Sequence, residues 1–337
     1  MTVDHYARVL RWLERFIAEA AQGEPQRRLL DTALEGLRRH IAESRADDVT
    51  IPSIDYLFAI CAAVQAPDLG SVTALAGACS LVFLGLDILD DAADGDRPPH
   101  WGDCSAAEIN LAGATVLSTL PALAVARLDI PADLRAAMQQ TLSCGLLRMS
   151  AGQHADLAMT DTGIVDPKRV EASVIGKSGE QLATYCTLAA QLVGLPQAQI
   201  ADYAEMGRHF GTAEQLLSDC HELLCDPDMR DLAHGARTLP VALYLARLGN
   251  HERPAFLALL DRARHDKTAR LEARDRIRAT GVVRRVLVKA ELYRQHARRA
   301  AARACPAESP RRALDHILGG FGVDPAMLDN TSISSKH

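Results

Sequence analysis

The sequence predicts an all-α protein, a bundle of long helices with a central apolar pocket between facing members. Three observations carry the prediction. Ala, Leu and Arg dominate, while aromatic residues make up only 4% of the chain. The period-two alternation of half-buried strands is hard to find. Helix-start signals recur: Pro131 stands behind Asp129, Pro167 follows Asp166, and Gly194 with Pro196 separates two further runs.

In chain order the pattern places helices over 4–22, 26–44, 53–64, 69–92, 104–127, 131–158, 167–194, 197–224, 238–248, 252–265, 280–304 and 309–319. The first is charged and amphipathic and lacks the apolar centre of a secretory signal. The run over 280–304 interleaves Arg284, Arg285, Lys289, Arg294, Arg298, Arg299 and Arg303 with Val286, Leu287, Ala290, Tyr293 and Ala297. That spacing is the polar face of an amphipathic helix rather than a nucleic-acid patch. No Pro/Gly/Ser linker or short repeat marks a seam. Residues 1–328 therefore read as one helical domain, and the polar 329–337 as a disordered tail.

A net charge of −6 gives no reason to expect nucleic acid. The eight cysteines form no CxxC and lie mostly in apolar helical runs, which fits reduced thiols in the cytoplasm. The apolar stretches read as too short or too interrupted to span a bilayer.

The most informative stretch is Asp87-Ile88-Leu89-Asp90-Asp91-Ala92-Ala93-Asp94-Gly95-Asp96, five aspartates in ten residues behind the apolar run Leu81–Leu86. On a helix Asp90 and Asp94 share a face about 5–6 Å apart, as do Asp87 and Asp91. Carboxylates that close repel and raise one another's pKa unless a cation sits among them. Oxygen-only donors with no His or Cys nearby favour Mg²⁺, which bridges carboxylates to substrate phosphates. A solvated helix end is the competing reading, and the apolar approach argues against it.

A second acidic set spans Gly211 to Glu222. Glu214, Ser218 and Glu222 fall at i, i+4, i+8 along one face, with Gln215 and Asp219 close to it. Two such helices facing each other across a cavity would cage Mg²⁺ and leave room for a diphosphate. An exposed polar stripe is the alternative. Cys220, His221 and Cys225 match no standard zinc spacing. Lys177, in Lys177-Ser178-Gly179, and Arg237, before Thr238-Leu239-Pro240, are candidate cations for phosphate oxygens.

These segments resemble, in order and spacing over roughly residues 50 to 320, the trans-isoprenyl diphosphate synthases (polyprenyl synthetases) and the class I terpene synthases that share their fold. Asp90-Asp91-x-x-Asp94-x-Asp96 resembles their DDxxDxD. Gly152-Gln153-His154-Ala155-Asp156 is similar to GQxxD, and Lys177-Ser178 to a Lys-Thr pair. Gly211–Glu222 is similar to GxxFQxxDDxxD, and Gly235–Pro240 to GKxTLP. The resemblance implies the isoprenoid-synthase helical bundle, a prenyl diphosphate substrate, Mg²⁺ and a homodimer. It implies catalytic roles for Asp90, Asp91, Asp94, Lys177 and Arg237. Substrate contacts fall to Gly85, Leu86, Gln153, Asp156, Lys177, Gln215 and Arg237. Metal ligation falls to Asp90, Asp94, Glu214, Ser218, Asp219 and Glu222.

The departures from the pattern direct the functional expectation. The basic GGKRxRP stretch is represented by Asp47-Asp48-Val49-Thr50-Ile51-Pro52, without Lys or Arg. An Arg-Arg pair is replaced by Pro99-His100, and the Lys of GKxTLP by Ala236. Those groups would hold a second diphosphate. The expectation is therefore a class I terpene synthase that ionises one prenyl diphosphate. A prenyltransferase, or an inactive partner subunit of a prenyl synthase, is the alternative. Gly85, five residues before Asp90, suggests space for a C15 or C20 chain, with Phe83 as a possible floor.

Overall fold

The computed structural model describes residues 4–46, 51–63, 69–160 and 166–320, and among these helices are the only regular elements. They run in the order α1 (His5–Ala20), α2 (Glu24–Ala46), α3 (Pro52–Ala63), α4 (Leu69–Asp94), a 3₁₀ turn (Pro99–Trp101) and α5 (Ala106–Ala114). A π turn (Thr115–Thr119) joins α5 to α6 (Leu120–Ala126). Then come α7 (Ala132–Thr160), α8 (Pro167–Val174), a second π turn (Ile175–Gly179), α9 (Glu180–Leu192) and α10 (Gln197–Cys225). The chain ends in α11 (Arg230–His234), α12 (Leu239–Arg247), α13 (Glu252–Ala263), α14 (Lys267–Ala279), α15 (Val282–Ala304) and α16 (Glu308–Gly320). Residues 47–50, where the basic stretch was found wanting, and the tail 329–337 lie outside the described residues.

Two compact units result. Of the described residues, the first comprises those within 4–146, Leu182–Ala204 and Ala300–Gly320, the second those within Leu147–Gln181 and Glu205–Arg299. In the first, α4 is the central rod. It is apolar on nearly every side, and Val72, Leu75, Leu81, Val82, Leu84 and Ile88 are all buried. In the second, Leu216, Leu232, Phe256, Leu260, Ile277 and Val286 belong to one continuous core.

Local chemistry sets the helix ends. Asp4 accepts from the Ala7 N–H at 3.1 Å and starts α1. Ser105 and Glu108 close a reciprocal capping box on α5. Asp166 caps α8 ahead of Pro167, and Asp266 caps α14 through the Thr268 N–H. Gly95 ends α4 at φ +80°, and the Asp96 N–H returns to the Asp91 carbonyl at 2.8 Å, a six-to-one closure that leaves Asp96 just past the helix.

Several expectations change. The single runs 104–127 and 167–194 are each broken by a π turn. Helix α14 was not predicted, because its buried face is only Ala269, Ala273 and Ile277 among many arginines, too faint a stripe to register. Helix α11 has five residues and is too short for any period to show. The membrane expectation is also corrected. Leu69–Asp94 and Ala106–Ala126 are each long and apolar enough to cross a bilayer by composition. The first of these is largely buried as a core rod, and less than half of the second is buried.

Candidate active site

In the first unit the aspartates crowd the C-terminal end of α4. Their carboxylates repel one another and also face the negative end of the helix dipole. The last turn of α4 contains no basic residue. Arg97, the first cation after it, is turned to the carbonyls of Gly102 and Cys104. The cost falls on Asp91. Burial pushes its carboxyl up to about 6, and Asp87, Asp96, Asp90 and Asp94 add to the rise. Asp90 is half-buried, and Asp87, Asp94 and Asp96 are exposed.

The space expected at Gly85 is filled. A methyl group there would come 2.5 Å from the backbone N and Cα of Leu117, so Gly85 is the point where α4 meets the first π turn. It is a packing glycine and leaves no room for a substrate chain. Leu86 beside it is half-buried, and Phe83 lies with its ring 4.8 Å from that of His40.

The second unit repeats the device. A methyl on Gly152 of α7 would sit 2.5 Å from the Gly176 carbonyl carbon and the Lys177 nitrogen. Ser173 donates to the Gly152 carbonyl at 3.1 Å. At the other end of this π turn a methyl on Gly179 would meet Thr212 Oγ1 at 2.8 Å and the Arg208 carbonyl at 3.0 Å. Lys177 thus rides on a widened turn held between α7 and α10, and such π insertions recur at functional sites.

From there a hydrogen-bond chain runs inward. Ser178 donates to Gln215 Oε1 at 2.8 Å, and Gln215 Nε2 donates to Asp219 Oδ1 at 2.8 Å. Asp219 is buried. Burial drives its carboxyl up to about 7; the Gln215 hydrogen bond opposes, Asp156 and Glu222 add to the rise, and Lys177 lowers it. Asp156, Lys177, Gln215, Asp219 and Glu222 therefore form one electrostatic cluster. Gln153 is half-buried on the same α7 segment.

Glu214, Ser218 and Arg237 are not among its members, and Glu222 is also held from outside it. Ser218 is exposed. Glu222 accepts from the Asp231 N–H at 2.6 Å and is thereby tied to α11. Glu214, one position before Gln215, has its carboxyl pushed up to about 8 by burial alone. Arg237 donates to the Gly235 carbonyl at 2.9 Å. Burial lowers its pKa; Asp261 opposes that shift and Arg264 adds to it.

Sequence reasoning missed Glu180. This buried carboxylate takes Arg148 at 2.6 Å and Arg208 at 2.5 Å. Burial would raise its pKa, and the two guanidinium groups hold it below the usual range. It fixes α7, α9 and α10 directly behind the Lys177 turn. A cleft of about 400 Å³ lined by Arg148, Gly152, Arg169, Gly176 and Glu180 opens beside it. The pair Gly176 and Gly179 around Lys177 was the available signal.

Among the described residues no three His, Cys, Asp or Glu side chains form a ready ion cage. The donor set nevertheless suits Mg²⁺ in kind: it is all oxygen, and Asp91 stands destabilised by four neighbouring carboxylates.

The fold agrees with the comparisons. The polyprenyl synthetase family model matches residues 105–275, and the chain belongs to that family. The solved structure of geranylgeranyl pyrophosphate synthetase from Pyrococcus horikoshii is 20% identical, with a TM-score of 0.75 over 94% of this chain and 97% of that one. Polyprenyl synthetase from Streptomyces coelicolor is 18% identical, with a TM-score of 0.77 over 95% and 98%. Polyprenyl synthase from Caulobacter crescentus, solved with calcium and isoprenyl diphosphate, is 19% identical, with a TM-score of 0.72 over 93% and 96%. No curated protein matches the chain. The all-α isoprenoid-synthase fold is thus established.

Proposed function

We propose that this protein is a Mg²⁺-dependent prenyltransferase that uses an allylic prenyl diphosphate and joins its chain to an acceptor. Family membership supports the reading. The observation that carries it is the cluster on α7, α10 and the second π turn, where Lys177 shares a field with Asp156 and Asp219. The sequence alone put a one-substrate terpene synthase first; the named relatives are prenyl diphosphate synthases and support the alternative better.

Asp90, Asp91 and Asp94 would hold metal from α4, and Asp156 and Asp219 from the second set. Bound Mg²⁺ supplies Lewis-acid charge that weakens the bond between the allylic carbon and diphosphate. Lys177 adds fixed positive charge for the departing diphosphate. Gln215, anchored by Ser178, orients Asp219 by donating to one of its oxygens.

One observation favours the terpene synthase as a second reading. Position 100 stands where related synthases carry arginine, and His100 is no substitute charge. Burial and the adjacent Arg39, which contacts its Nδ1, hold its pKa below the ordinary histidine value. Incubation with Mg²⁺ and farnesyl or geranylgeranyl diphosphate, with and without isopentenyl diphosphate, separates the two. Longer diphosphates formed only with both substrates support the transferase. Hydrocarbon from the single substrate replaces it with the synthase.

A homodimer is part of the proposal. Helix α5 leaves Leu111 66% exposed on an apolar segment, which is the kind of face a second copy covers. Light scattering of the wild type against Leu111→Glu reads it directly.

A further inference from the structure

Charge is segregated along this chain. Residues 262–299 hold thirteen Lys and Arg against four Asp and Glu, in a protein whose net charge is −6. Helix α15 shows how the excess is arranged. Its inward cations are neutralised: Lys289 reaches Glu171 at 2.6 Å, and Arg294 pairs with Glu291. Its outward stripe is not neutralised in this way. Arg285, Val288, Leu292, His296 and Arg299 fall within one narrow face of the helix, and all five are exposed. Arg285 and Arg299 are in no ion pair among the described residues.

The two aliphatic members are the anomaly. Val282, Val283, Val286, Leu287, Ala290 and Ala297 of the same helix are buried, yet Val288 and Leu292 are each 57% exposed. We propose that this stripe docks on an anionic lipid surface, with Arg285 and Arg299 at the headgroups and Val288 and Leu292 entering the acyl boundary. Basic residues flanking aliphatic ones on an interfacial helix are the chemistry of such binding. Nucleic acid fits less well. Val288 and Leu292 gain nothing from a phosphate backbone, and no Phe, Tyr or Trp lies on the stripe to stack on bases.

The test is flotation of the full chain with vesicles of phosphatidylcholine alone, and with about a quarter phosphatidylglycerol. It is run at low salt and at about 1 M NaCl, where the Debye length falls to about 3 Å. Binding is expected only with the anionic lipid and only at low salt. The double variant Arg285→Ala/Arg299→Ala should weaken it about twenty-five-fold, at about five-fold per charge. Val288→Ser/Leu292→Ser should weaken it about tenfold while leaving the melting temperature in place. No binding, equal binding to neutral vesicles, or binding unmoved by the arginine variant overturns the proposal. A duplex oligonucleotide that displaces the vesicles at equal charge overturns it in favour of nucleic acid. Conversion of a dimer to a monomer by Val288→Ser/Leu292→Ser overturns it in favour of a second copy. Should a variant fail to fold, the lipid and salt dependence of the wild type decides alone. Vesicle binding is read without substrate, so it stands apart from the reaction assigned to the site.

Discussion

The two acidic regions are built alike and behave differently. In each unit a glycine of the motif helix, Gly85 on α4 or Gly152 on α7, packs against the backbone of a π turn with no space for a methyl. Beyond that contact the regions diverge. The aspartates of α4 crowd a helix end where three of the five are exposed and the dipole adds to their repulsion. The second set lies on helices that pack in the core, where burial raises Asp219 and the amide of Gln215 and the charge of Lys177 counter it. One region carries an excess of negative charge, and the other a carboxyl that burial raises to about 7.

The largest effect that would break the comparison is loss of the first set. Asp90→Ala and Asp94→Ala should each lower Mg²⁺-dependent diphosphate release about a thousand-fold, several kcal/mol of lost charge stabilisation. Full activity in both variants, measured by pyrophosphate release, would show that the α4 aspartates take no part in the reaction. Asp91→Asn sharpens the point on stability. Its folded pKa of about 6 lies above its ordinary value of 3.8, so ionisation opposes folding above about pH 6 and this cost fades as pH falls toward 4. After discounting for partial exposure the relief is roughly 1–2 kcal/mol. Metal-free Asp91→Asn should therefore melt higher than the wild type at pH 7, and the two should converge near pH 4.

Gly152→Ala comes next. The new methyl meets the backbone of Gly176 and Lys177, so the π turn must shift. The expected cost is about 1–3 kcal/mol in denaturant unfolding, with a larger loss of diphosphate affinity because Lys177 rides on that turn. A variant that melts normally and binds pyrophosphate normally would mean that the π turn does not position Lys177.

How much of this was legible follows from the same contrast. The Asp cluster was readable because exposed carboxylates behind an apolar run conflict with every stabilising rule, and that conflict shows in the letters. The role of Gly85 was not readable. A glycine in a buried helix means close approach or open space, and only the partner, Leu117, decides between them. The π turns were invisible because they add one residue to an unbroken helical pattern. Glu180 went unnoticed because its partners, Arg148 and Arg208, are 32 and 28 residues away along the chain. Helix α14 was lost because alanines make a faint apolar face.

The pH response separates the two regions in a further way. Asp219 must lose its proton to ligate metal, and its carboxyl lies at about 7 without one. Mg²⁺ affinity should rise with pH up to about 7 and level off above it. Asp219→Asn should weaken binding and remove the part of that dependence near pH 7, leaving the part near pH 6 that belongs to Asp91, read by calorimetry between acid and neutral pH. Retention of the wild-type slope in Asp219→Asn would assign the titration to another group.

The smallest effect is expected at Ser218. Its hydroxyl is exposed, while its neighbour Asp219 is buried with Gln215 and Lys177. On a helix that turns about 100° per residue, the exposed Ser218 and the buried Asp219 leave α10 on different sides. Ser218→Ala should change stability by less than about 0.5 kcal/mol and metal-dependent turnover by less than about twofold. The terpene-synthase reading needs the opposite result, because Ser218 is the middle ligand of its Glu214–Ser218–Glu222 motif. A loss of Mg²⁺ affinity comparable to that in Asp219→Asn would therefore restore the i, i+4, i+8 stripe as the metal-binding face and move the second site one side chain around α10.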